Sequence, residues 1–397
     1  MKSRHTILHV IDSLDLGGAQ SVLINLIRHG DRSRFNYEVA TMHGHGVYWD
    51  AVRELGIPVH SLSVHPLLPS YVPALLWLCA SRRYDIVHAH LLGSNLIAKP
   101  LAALCRVKVR INHDHCNDKT GMNRWLVRAD KLVNRLSTHV IAVSGSVRDY
   151  AICHEGLPAD RVDTVYNGID LARFQPGPEK RTEARARFGL PQDAFVVIGV
   201  GRLSYQKNFG LFLQVAARVL KDRPQAYFAI AGTGDEEAAL RQQARELGLE
   251  PRLKFLGFVA DMRALYPAAD VLMLTSRYEG LPITILEAMA TGTAIVSSNL
   301  DGVQEVLRDD VDSALVTPGD AEGFAQRLRA LMDSSQLMQR YRQAALTKVR
   351  TTFSAEAATR AVESIYLRYL PDAAASPSPA APGDDPDSAT LDPMAER

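Results

Sequence analysis

Short apolar segments that alternate with longer helical patterns constrain the fold of this 397-residue chain more than any other feature. Short, continuous apolar segments between helices are typical of parallel strands that are buried on both faces. The alternation occurs twice, so the sequence predicts two α/β domains, each with a parallel sheet covered by helices on both faces. Strands are predicted at 6–11, 37–41, 59–62, 86–89, 107–112 and 139–143 in the first domain, and at 195–200, 226–231, 253–256, 271–274, 294–297 and 314–316 in the second.

Proline and glycine residues at 176–178 separate the two sets of strands. Such a cluster is typical of a boundary, and a chain of this length is expected to form two domains. The tail contains six prolines together with Ala, Ser and Asp, and is predicted to be disordered. The predicted division is a first domain at 1–172, a linker at 173–190, a second domain at 191–353, a final helix at 354–370 and the tail at 371–397.

Cysteine spacing and apolar runs predict a cytoplasmic protein. The four cysteines show no CxxC pattern, which favours a reducing compartment over a disulfide framework. The apolar run at 7–11 is too short for a signal peptide, and the nine residues at 72–80 are far fewer than the roughly 20 that a membrane span needs. We expect no spanning segment, and leave open a peripheral attachment to the cytosolic face of a membrane.

Positive charge is concentrated in the segment 99–148, which contains ten Lys or Arg residues and three Asp residues. A basic amphipathic helix that bears a tryptophan can bind an anionic membrane surface. An ordinary domain helix with a solvated basic side has the same pattern, so both interpretations stay open. The segment 122–136 has this pattern, with Arg124, Arg128, Lys131 and Arg135 on one face and Trp125, Ala129, Leu132 and Leu136 on the neighbouring face.

The segment 275–292 is predicted to form a tight loop and a short helix between two buried strands. Pro282 suits the first helical turn and Gly292 suits the helix end. On one helix, Glu279 and Glu287 would be about 12 Å apart. That distance exceeds the roughly 5–9.5 Å of a hydrolytic carboxylate pair, which argues against a glycosidase.

The alternative places Glu279 in the loop and Glu287 inside the helix. The backbone N–H groups of the first helical turn would then point at the same ligand as both carboxylates, and helix N-termini favour phosphates. This arrangement predicts a ligand that carries both phosphate and hydroxyl groups, such as a nucleotide-sugar. The segment that would supply these N–H groups is Gly280, Leu281, Pro282, Ile283 and Thr284, in which Pro282 itself has no N–H to donate.

Further candidate residues follow other predicted strands, at the sheet edge where ligands bind in α/β proteins. Gly17 and Gly18 either let the backbone approach a ligand closely or form only a tight turn, and the dinucleotide pattern GxGxxG is absent. Arg202 and Lys207 follow the strand at 195–200. They suit a diphosphate, because Arg offers a planar fork of donors and Lys a point charge.

The sequence HDH places His113 and His115 just after the fifth predicted strand of the first domain. They are candidate site residues at the ligand-binding edge. A His-x-His pair can also bind a metal, but no third or fourth ligand is obvious from the sequence. An ordinary polar loop is the remaining interpretation.

The segment EGLPITILE at 279–287 resembles the Glu-x7-Glu motif of the retaining GT-B glycosyltransferases of family 4. AMATGTAIV and DGVQEVL follow it, and LDLGGAQ, AVSGSV, NGID and GRLSYQKN precede it in the order that is typical of the family. The resemblance covers about 6–370. It implies two Rossmann-like domains facing across a cleft, with the first binding the acceptor, the second binding the nucleotide-sugar, and the final helix packing back on the first.

The resemblance also implies roles for the charged residues of the second domain. Glu287 would bind the ribose hydroxyls, and Glu279 would hold a hydroxyl of the transferred sugar. Arg202 and Lys207 would balance the charge of the departing diphosphate, which is most of what such a site must do. We therefore expect no metal and no cofactor.

Other implied positions are less well defined by the motifs. Phe258 would lie near the base, and either His115 or His113 would be the site histidine of the first domain. Asp301 stands where the family commonly has Gly, which leaves open the contacts that Glu305 makes.

The predicted activity is that of a retaining hexosyltransferase. It would move a sugar from a UDP- or GDP-sugar to a glycan or lipid-linked acceptor in cell-surface polysaccharide or glycolipid synthesis, with no nucleic-acid partner. The alternatives are a sugar-nucleotide epimerase on the same fold and a non-catalytic subunit that binds nucleotide-sugars.

Overall fold

The computed structural model describes residues 4–15, 17–63, 70–116, 124–175 and 179–370. The proline and glycine cluster at 176–178, part of the basic segment (117–123) and the tail predicted to be disordered (371–397) lie outside the described residues.

The first domain is a seven-stranded parallel sheet with the strand order β3-β2-β1-β4-β5-β6-β7. The order reverses between β1 and β4, and a crevice forms at the carboxyl ends of strands on either side of such a point. Its elements are β1 (His5–Ile11), α1 (Gly18–His29), β2 (Phe35–Thr41), α2 (Trp49–Arg53), β3 (Val59–Ser61), α3 (Tyr71–Ser81), β4 (Ile86–His90), α4 (Leu92–Leu104), β5 (Val109–Asp114), α5 (Arg124–Asn134), β6 (His139–Ala142), α6 (Gly145–Cys153) and β7 (Val162–Thr164).

The second domain is a six-stranded parallel sheet with the order β10-β9-β8-β11-β12-β13, which reverses between β8 and β11. Its elements are α7 (Glu179–Phe188), β8 (Phe195–Val200), α8 (Phe209–Leu220), β9 (Ala226–Ala231), α9 (Glu237–Glu246), β10 (Leu253–Gly257), α10 (Met262–Leu265), β11 (Val271–Leu274), α11 (Ile283–Thr291), β12 (Ala294–Ser298), α12 (Asp301–Gln304), β13 (Ala314–Val316), α13 (Ala321–Asp333), α14 (Ser335–Thr352) and α15 (Ala355–Tyr369).

The strands confirm the predicted α/β class, and each of the twelve predicted strands lies within two residues of its predicted bounds. The apolar segments are buried because each sheet is covered by helices on both faces. The largest shift is in β5, which was predicted at 107–112 and begins and ends two residues later. His113 therefore belongs to a strand and pairs with His90 of β4, whereas the sequence placed it in a loop.

The predicted linker at 173–190 contains a helix, α7, that packs on the second domain. The Arg185 side chain is buried and donates to Asp270 over 2.9 Å. Asp270 also accepts a hydrogen bond from the backbone N–H of Val196 at the start of β8. This pairing holds α7 against the second sheet, because a buried guanidinium requires a charged partner.

The last helix, α15, packs on the first domain. Tyr366 Oη lies 2.6 Å from His88 Nδ1 in β4. Glu363 accepts from Tyr37 Oη over 2.6 Å and from the backbone N–H of Asp31 over 2.7 Å. These buried polar contacts connect the end of the chain to the first sheet.

The two domains touch through polar contacts between loops at their carboxyl edges. Asn167 Nδ2 donates to the carbonyl oxygen of Leu281 over 2.9 Å. Glu305 accepts from the backbone N–H groups of Gly145 and Ser146, at 2.7 and 2.9 Å. The carboxyl edges of both sheets therefore face each other.

Candidate active site

A cavity of about 560 Å³ lies between the two carboxyl edges. Ligand sites in proteins are commonly clefts of about 300–1,000 Å³, so this one is large enough for a nucleotide-sugar. Both domains contribute to its wall. Most predicted site residues line it, namely Gly17, Gly18, His115, Arg202, Lys207, Glu279, Gly280, Leu281, Pro282, Ile283 and Glu287.

Two predicted site residues lie elsewhere. Of the described residues near β10, Val259 and Met262 line the cavity, while Phe258 stays outside its wall and is 36% exposed. Phe258 directly follows Gly257, whose φ of 66° turns the chain at the end of the strand. His113 is buried in the first sheet, with its ring stacked on that of His115.

The loop before α11 carries Glu279, as one of the two sequence alternatives requires. Pro282 was predicted in the first helical turn and is instead the N-cap, the residue just before the helix begins at Ile283. Gly292 ends the helix in the left-handed conformation, with φ 71°. The first N–H groups of a helix have no partner within it, so the start of α11 offers donors to an anion in the cavity.

Glycine is required where this loop approaches the first domain. A Cβ atom on Gly280 would collide with the carbonyl oxygen of His115. A Cβ atom on Gly302 would collide with the carbonyl oxygen of Gly280. The loop therefore lies directly against His115, just after β5, which places Glu279 at the junction of the two domains.

Glu279 and Lys207 form an ion pair on the cavity wall. Lys207 Nζ lies 2.5 Å from Glu279 Oε1, and Ser276 Oγ donates to the same oxygen over 2.6 Å. The carboxylate is buried, and the ammonium is 14% exposed toward the cavity. The pair presents oriented positive and negative charges that can meet a phosphate and a sugar hydroxyl respectively.

Glu287 is buried in the second turn of α11 and lines the cavity. Burial raises the pKa of its carboxyl to about 7, and the hydrogen bond from Tyr266 Oη over 2.7 Å opposes that rise. Buried carboxylates need donors, and a pair of ribose hydroxyls could supply them.

Four further cavity residues are absent from the predicted site. Tyr48 and Gln20 from the first domain, and Tyr205 and Met262 from the second, all line the wall. Gln20 and Tyr205 belong to the motifs LDLGGAQ and GRLSYQKN, which could have indicated them, whereas Tyr48 and Met262 lie outside the quoted motifs. Asn167 could have been found, because it begins the motif NGID that resembles the family.

Two family models match the chain in succession. The model described as Glycosyltransferase Family 4 matches residues 16–173, and the model described as Glycosyl transferases group 1 matches residues 180–348. The chain belongs to this family of glycosyltransferases. The family prediction made from EGLPITILE and its neighbouring motifs is thereby confirmed.

Among curated relatives, a glycosyltransferase of Methanocaldococcus jannaschii is 29% identical over 72% of this chain and 75% of its own length. The UDP-Gal:alpha-D-GlcNAc-diphosphoundecaprenol alpha-1,3-galactosyltransferase of Escherichia coli is 28% identical over 72% of this chain and 77% of its own. The glycosyltransferase assignment therefore extends over most of the chain.

Solved structures confirm the predicted architecture. HepE of Anabaena, in complex with UDP-glucose, superposes with a TM-score of 0.83 and 25% identity over 92% of this chain and 100% of that one. Sucrose-phosphate synthase of Thermosynechococcus elongatus superposes with a TM-score of 0.76 and 19% identity over 92% and 99%. The glycosyltransferase has the GT-B fold, with two Rossmann-like domains facing across a cleft.

None of the helices in the described ranges combines the length and the apolar character that crossing a bilayer requires.

Proposed function

We propose that this glycosyltransferase moves a hexose from a nucleoside-diphosphate sugar to a glycan or lipid-linked acceptor, with retention of the anomeric configuration. The observation that carries the proposal is the joint position of the Lys207–Glu279 pair, the α11 N-terminus and Glu287 on one cavity wall. The ion pair matches the transferred sugar and the phosphate next to it, the N-terminus of α11 matches the diphosphate, and Glu287 matches the ribose.

The donor is placed by matching its groups to these side chains. The diphosphate lies at the start of α11, where the helix dipole and free N–H groups favour an anion. Arg202 and Lys207 approach it from the end of β8. Glu279 accepts from a hydroxyl of the sugar, and Glu287 accepts from the ribose.

The chemistry then requires charge stabilisation at the leaving group. The bond between the anomeric carbon and the diphosphate oxygen breaks, and the diphosphate leaves with the electron pair. The acceptor hydroxyl attacks on the same face, forms the new glycosidic bond and gives its proton to the departing diphosphate oxygen beside it. Lys207, Arg202 and the helix N–H groups stabilise the developing negative charge, which is the role of preorganised donors in such sites.

The acceptor binds on the side of the first domain, next to His115. Burial lowers the pKa of His115 to about 4, so its ring is neutral near pH 7. A neutral imidazole can accept or donate one hydrogen bond to a sugar hydroxyl without adding charge. His113, stacked behind it with centroids 4.5 Å apart, supports the position of that ring.

Uridine diphosphate sugars are the proposed donors, with GDP-sugars as the comparison. The similar HepE structure is described as a complex with UDP-glucose, and the E. coli relative is named for UDP-Gal. That relative is also named for a diphosphoundecaprenol acceptor, which supports a lipid-linked acceptor and a role in cell-surface polysaccharide or glycolipid synthesis.

The first domain presents a surface that suits an anionic membrane. Trp125 on α5 is 71% exposed, and Trp77 on α3 and Leu104 on α4 are each 69% exposed. Arg128 lies 5.2 Å from the Trp125 ring centroid. Exposed tryptophan and leucine beside Arg and Lys residues are typical of helices that lie in a membrane interface. We propose that this face holds the enzyme at the bilayer where a lipid-linked acceptor resides.

Product analysis tests the proposal. The full-length protein is incubated with UDP-glucose, UDP-galactose or GDP-mannose and a set of lipid-linked and soluble glycans, and the linkage is read by NMR. We expect an acceptor-dependent product with the anomeric configuration of the donor. An altered nucleotide-sugar formed without acceptor would identify an epimerase. Tight donor binding without transfer to any acceptor would identify a binding subunit, and an inverted product would disprove retention.

A further inference from the structure

Five histidines of the first domain lie side by side on one face of its sheet, toward the carboxyl ends of three neighbouring strands. They are His9 on β1, His88 and His90 on β4, His113 on β5 and His115 just beyond it. Residues two apart on a strand point to the same face, and parallel pairing sets His9 beside His88 and His90 beside His113. The centroids of neighbouring rings are 4.3 to 5.9 Å apart.

Several of these ring nitrogens are buried and unpaired. Within the described residues, neither nitrogen of His113 or His115 has a hydrogen-bond partner, and His90 Nδ1 has none. A buried polar atom without a partner costs about 1–3 kcal/mol. A group that binds several of these nitrogens at once would be favoured by the release of that cost.

One nitrogen from each of His90, His113 and His115 lies within 4.8 Å of the other two. We propose that these three histidines bind a divalent transition-metal ion of the zinc class. Imidazole is a preferred ligand of such ions, and three protein ligands with one open position form a common tetrahedral site. Ligands at 2.0–2.1 Å from the metal are about 3.4 Å apart in that geometry. Rotation of the rings about χ2, a broad torsion for histidine, can bring the ring nitrogens from within 4.8 Å to this spacing.

A second group, His9, His88 and His90, satisfies the same distance limit but is less suitable. One nitrogen of each ring is engaged, because His9 Nδ1 and His90 Nε2 are 3.1 Å apart and His88 Nδ1 contacts Tyr366 Oη, while the other nitrogen of each has no partner among the described residues. All three rings are fully buried. His115, in contrast, lines the cavity, which gives an ion a route to the site and leaves its open position facing the cleft.

The site has a consequence for activity, which rests on the proposed function. His115 lies where the Gly280 loop meets the first domain, beside the place proposed for the acceptor. An ion bound there occupies acceptor space and holds His115 away from a sugar hydroxyl. Micromolar Zn²⁺ therefore inhibits transfer and EDTA restores it. Mg²⁺ has no such effect, because it prefers oxygen ligands.

Titration of the full chain with Co²⁺, followed by its visible absorption, tests the site without donor or acceptor. We expect one equivalent to bind with tetrahedral bands. His90→Gln and His115→Gln should weaken binding by about tenfold or more. His154→Gln, at an exposed position just after α6, should bind like the wild type. His9→Gln removes the contact of His9 Nδ1 with His90 Nε2, and should weaken binding less than His115→Gln, which removes a ligand.

Two results would overturn the assignment: no Co²⁺ band from the wild type at millimolar metal, or loss of binding in His9→Gln with binding kept in His115→Gln. Circular dichroism checks that each variant is folded. If His90→Gln does not fold, His115→Gln carries the test, because its ring is at the cavity surface. Since the absorption needs no sugar donor, a failure here is distinct from a failure of the transferase proposal.

Discussion

Lys207 Nζ and Glu279 Oε1 lie 2.5 Å apart, although their backbones follow two different strands, β8 and β11. These strands flank the point where the order of the second sheet reverses. The pair therefore sits where α/β sheets bind ligands, with one charge for a phosphate and one for a hydroxyl.

Replacement of Lys207 by Ala should lower kcat/KM by about 10²–10³, the range seen when one preorganised donor to a developing negative charge is lost. Donor binding should weaken less, because the helix N–H groups still hold the diphosphate. Steady-state kinetics with the identified donor measures both effects. Lys221→Ala, at an exposed position after α8, is the matched control. Equal kcat/KM for the two variants would show that Lys207 does not contribute to the reaction.

Glu287→Gln should stabilise the donor-free protein at pH 8 while weakening donor binding. The carboxyl has an ordinary pKa of 4.5 and a pKa of about 7 in the folded protein. This shift corresponds to a loss of roughly 3 kcal/mol in the free energy of unfolding once the carboxyl is ionised in both states. Below pH 4.5 the group is protonated in both states and costs nothing. As the pH rises from 4.5 through 7, the unfolded state ionises first, so the folded protein loses stability.

The amide removes this penalty, so the variant's free energy of unfolding should exceed that of the wild type at pH 8, with the difference vanishing near pH 4. Urea unfolding at both pH values measures it, and calorimetry measures donor affinity. Glu183→Gln, exposed on α7, serves as the control. A stability difference that stays the same at both pH values would contradict the account.

Tyr266→Phe should raise the pKa of Glu287 further. The Tyr266 hydroxyl donates to Glu287 Oε2 over 2.7 Å, and this bond favours the ionised carboxyl. If ribose binding needs the carboxylate, the pH of half-maximal donor affinity should move upward in the variant. Calorimetry across pH 6–9 follows the midpoint. Tyr341→Phe removes a hydroxyl that donates to Asp310, and since neither residue lines the cavity, this variant should leave the midpoint unchanged.

Glu305→Ala should loosen the contact between the domains. Its carboxylate accepts from the N–H groups of Gly145 and Ser146 at the start of α6, and hydrogen bonds to a charged group contribute about 1.5–3 kcal/mol. Small-angle scattering should show a larger radius of gyration, and activity should fall because an open cleft admits water. Glu322→Ala removes surface ion pairs on α13 and is the control. An unchanged scattering curve would show that other contacts hold the two domains together.

The double variant Trp125→Ala, Leu132→Ala should reduce binding to anionic vesicles by at least about tenfold, since each side chain would lose apolar burial in the membrane interface. Both residues are exposed on α5, so the fold should be retained. Co-sedimentation with phosphatidylglycerol vesicles, which are anionic, and with phosphatidylcholine vesicles, which carry no net charge, compares binding to the two kinds of lipid surface. Leu247→Ala, exposed in the second domain, is the control. No anionic preference in the wild type would contradict the membrane proposal.

Prediction from sequence succeeded where the signal was local. The short apolar segments predicted the strands within two residues, because burial on both faces of a sheet demands such segments. The helix after Pro282 and its end at Gly292 follow from local backbone preferences. The prediction differed at α7, where the pairing of Arg185 with Asp270 depends on a residue 85 positions away.

The candidate site divides in the same way. The motifs named Glu279, Glu287, Arg202 and Lys207, and the structure places all four on one cavity wall. The motifs did not exclude Phe258 from that wall, because the orientation of a residue after a turn is set by its neighbours. The cavity contact of Tyr48 has no local signal, since it arises from the approach of the two domains.

The amino-acid sequence alone determined the two α/β domains, their family and the charged residues of the donor side, because strand burial, helix ends and ordered motifs are local properties. Only the tertiary structure decided which groups meet. From sequence, His113 and His115 had no third metal ligand. Parallel pairing of β4 with β5 brings His90 beside them, although it is more than twenty positions away in the chain. Strand register is set by the packing of the whole sheet, and so lies beyond any local pattern.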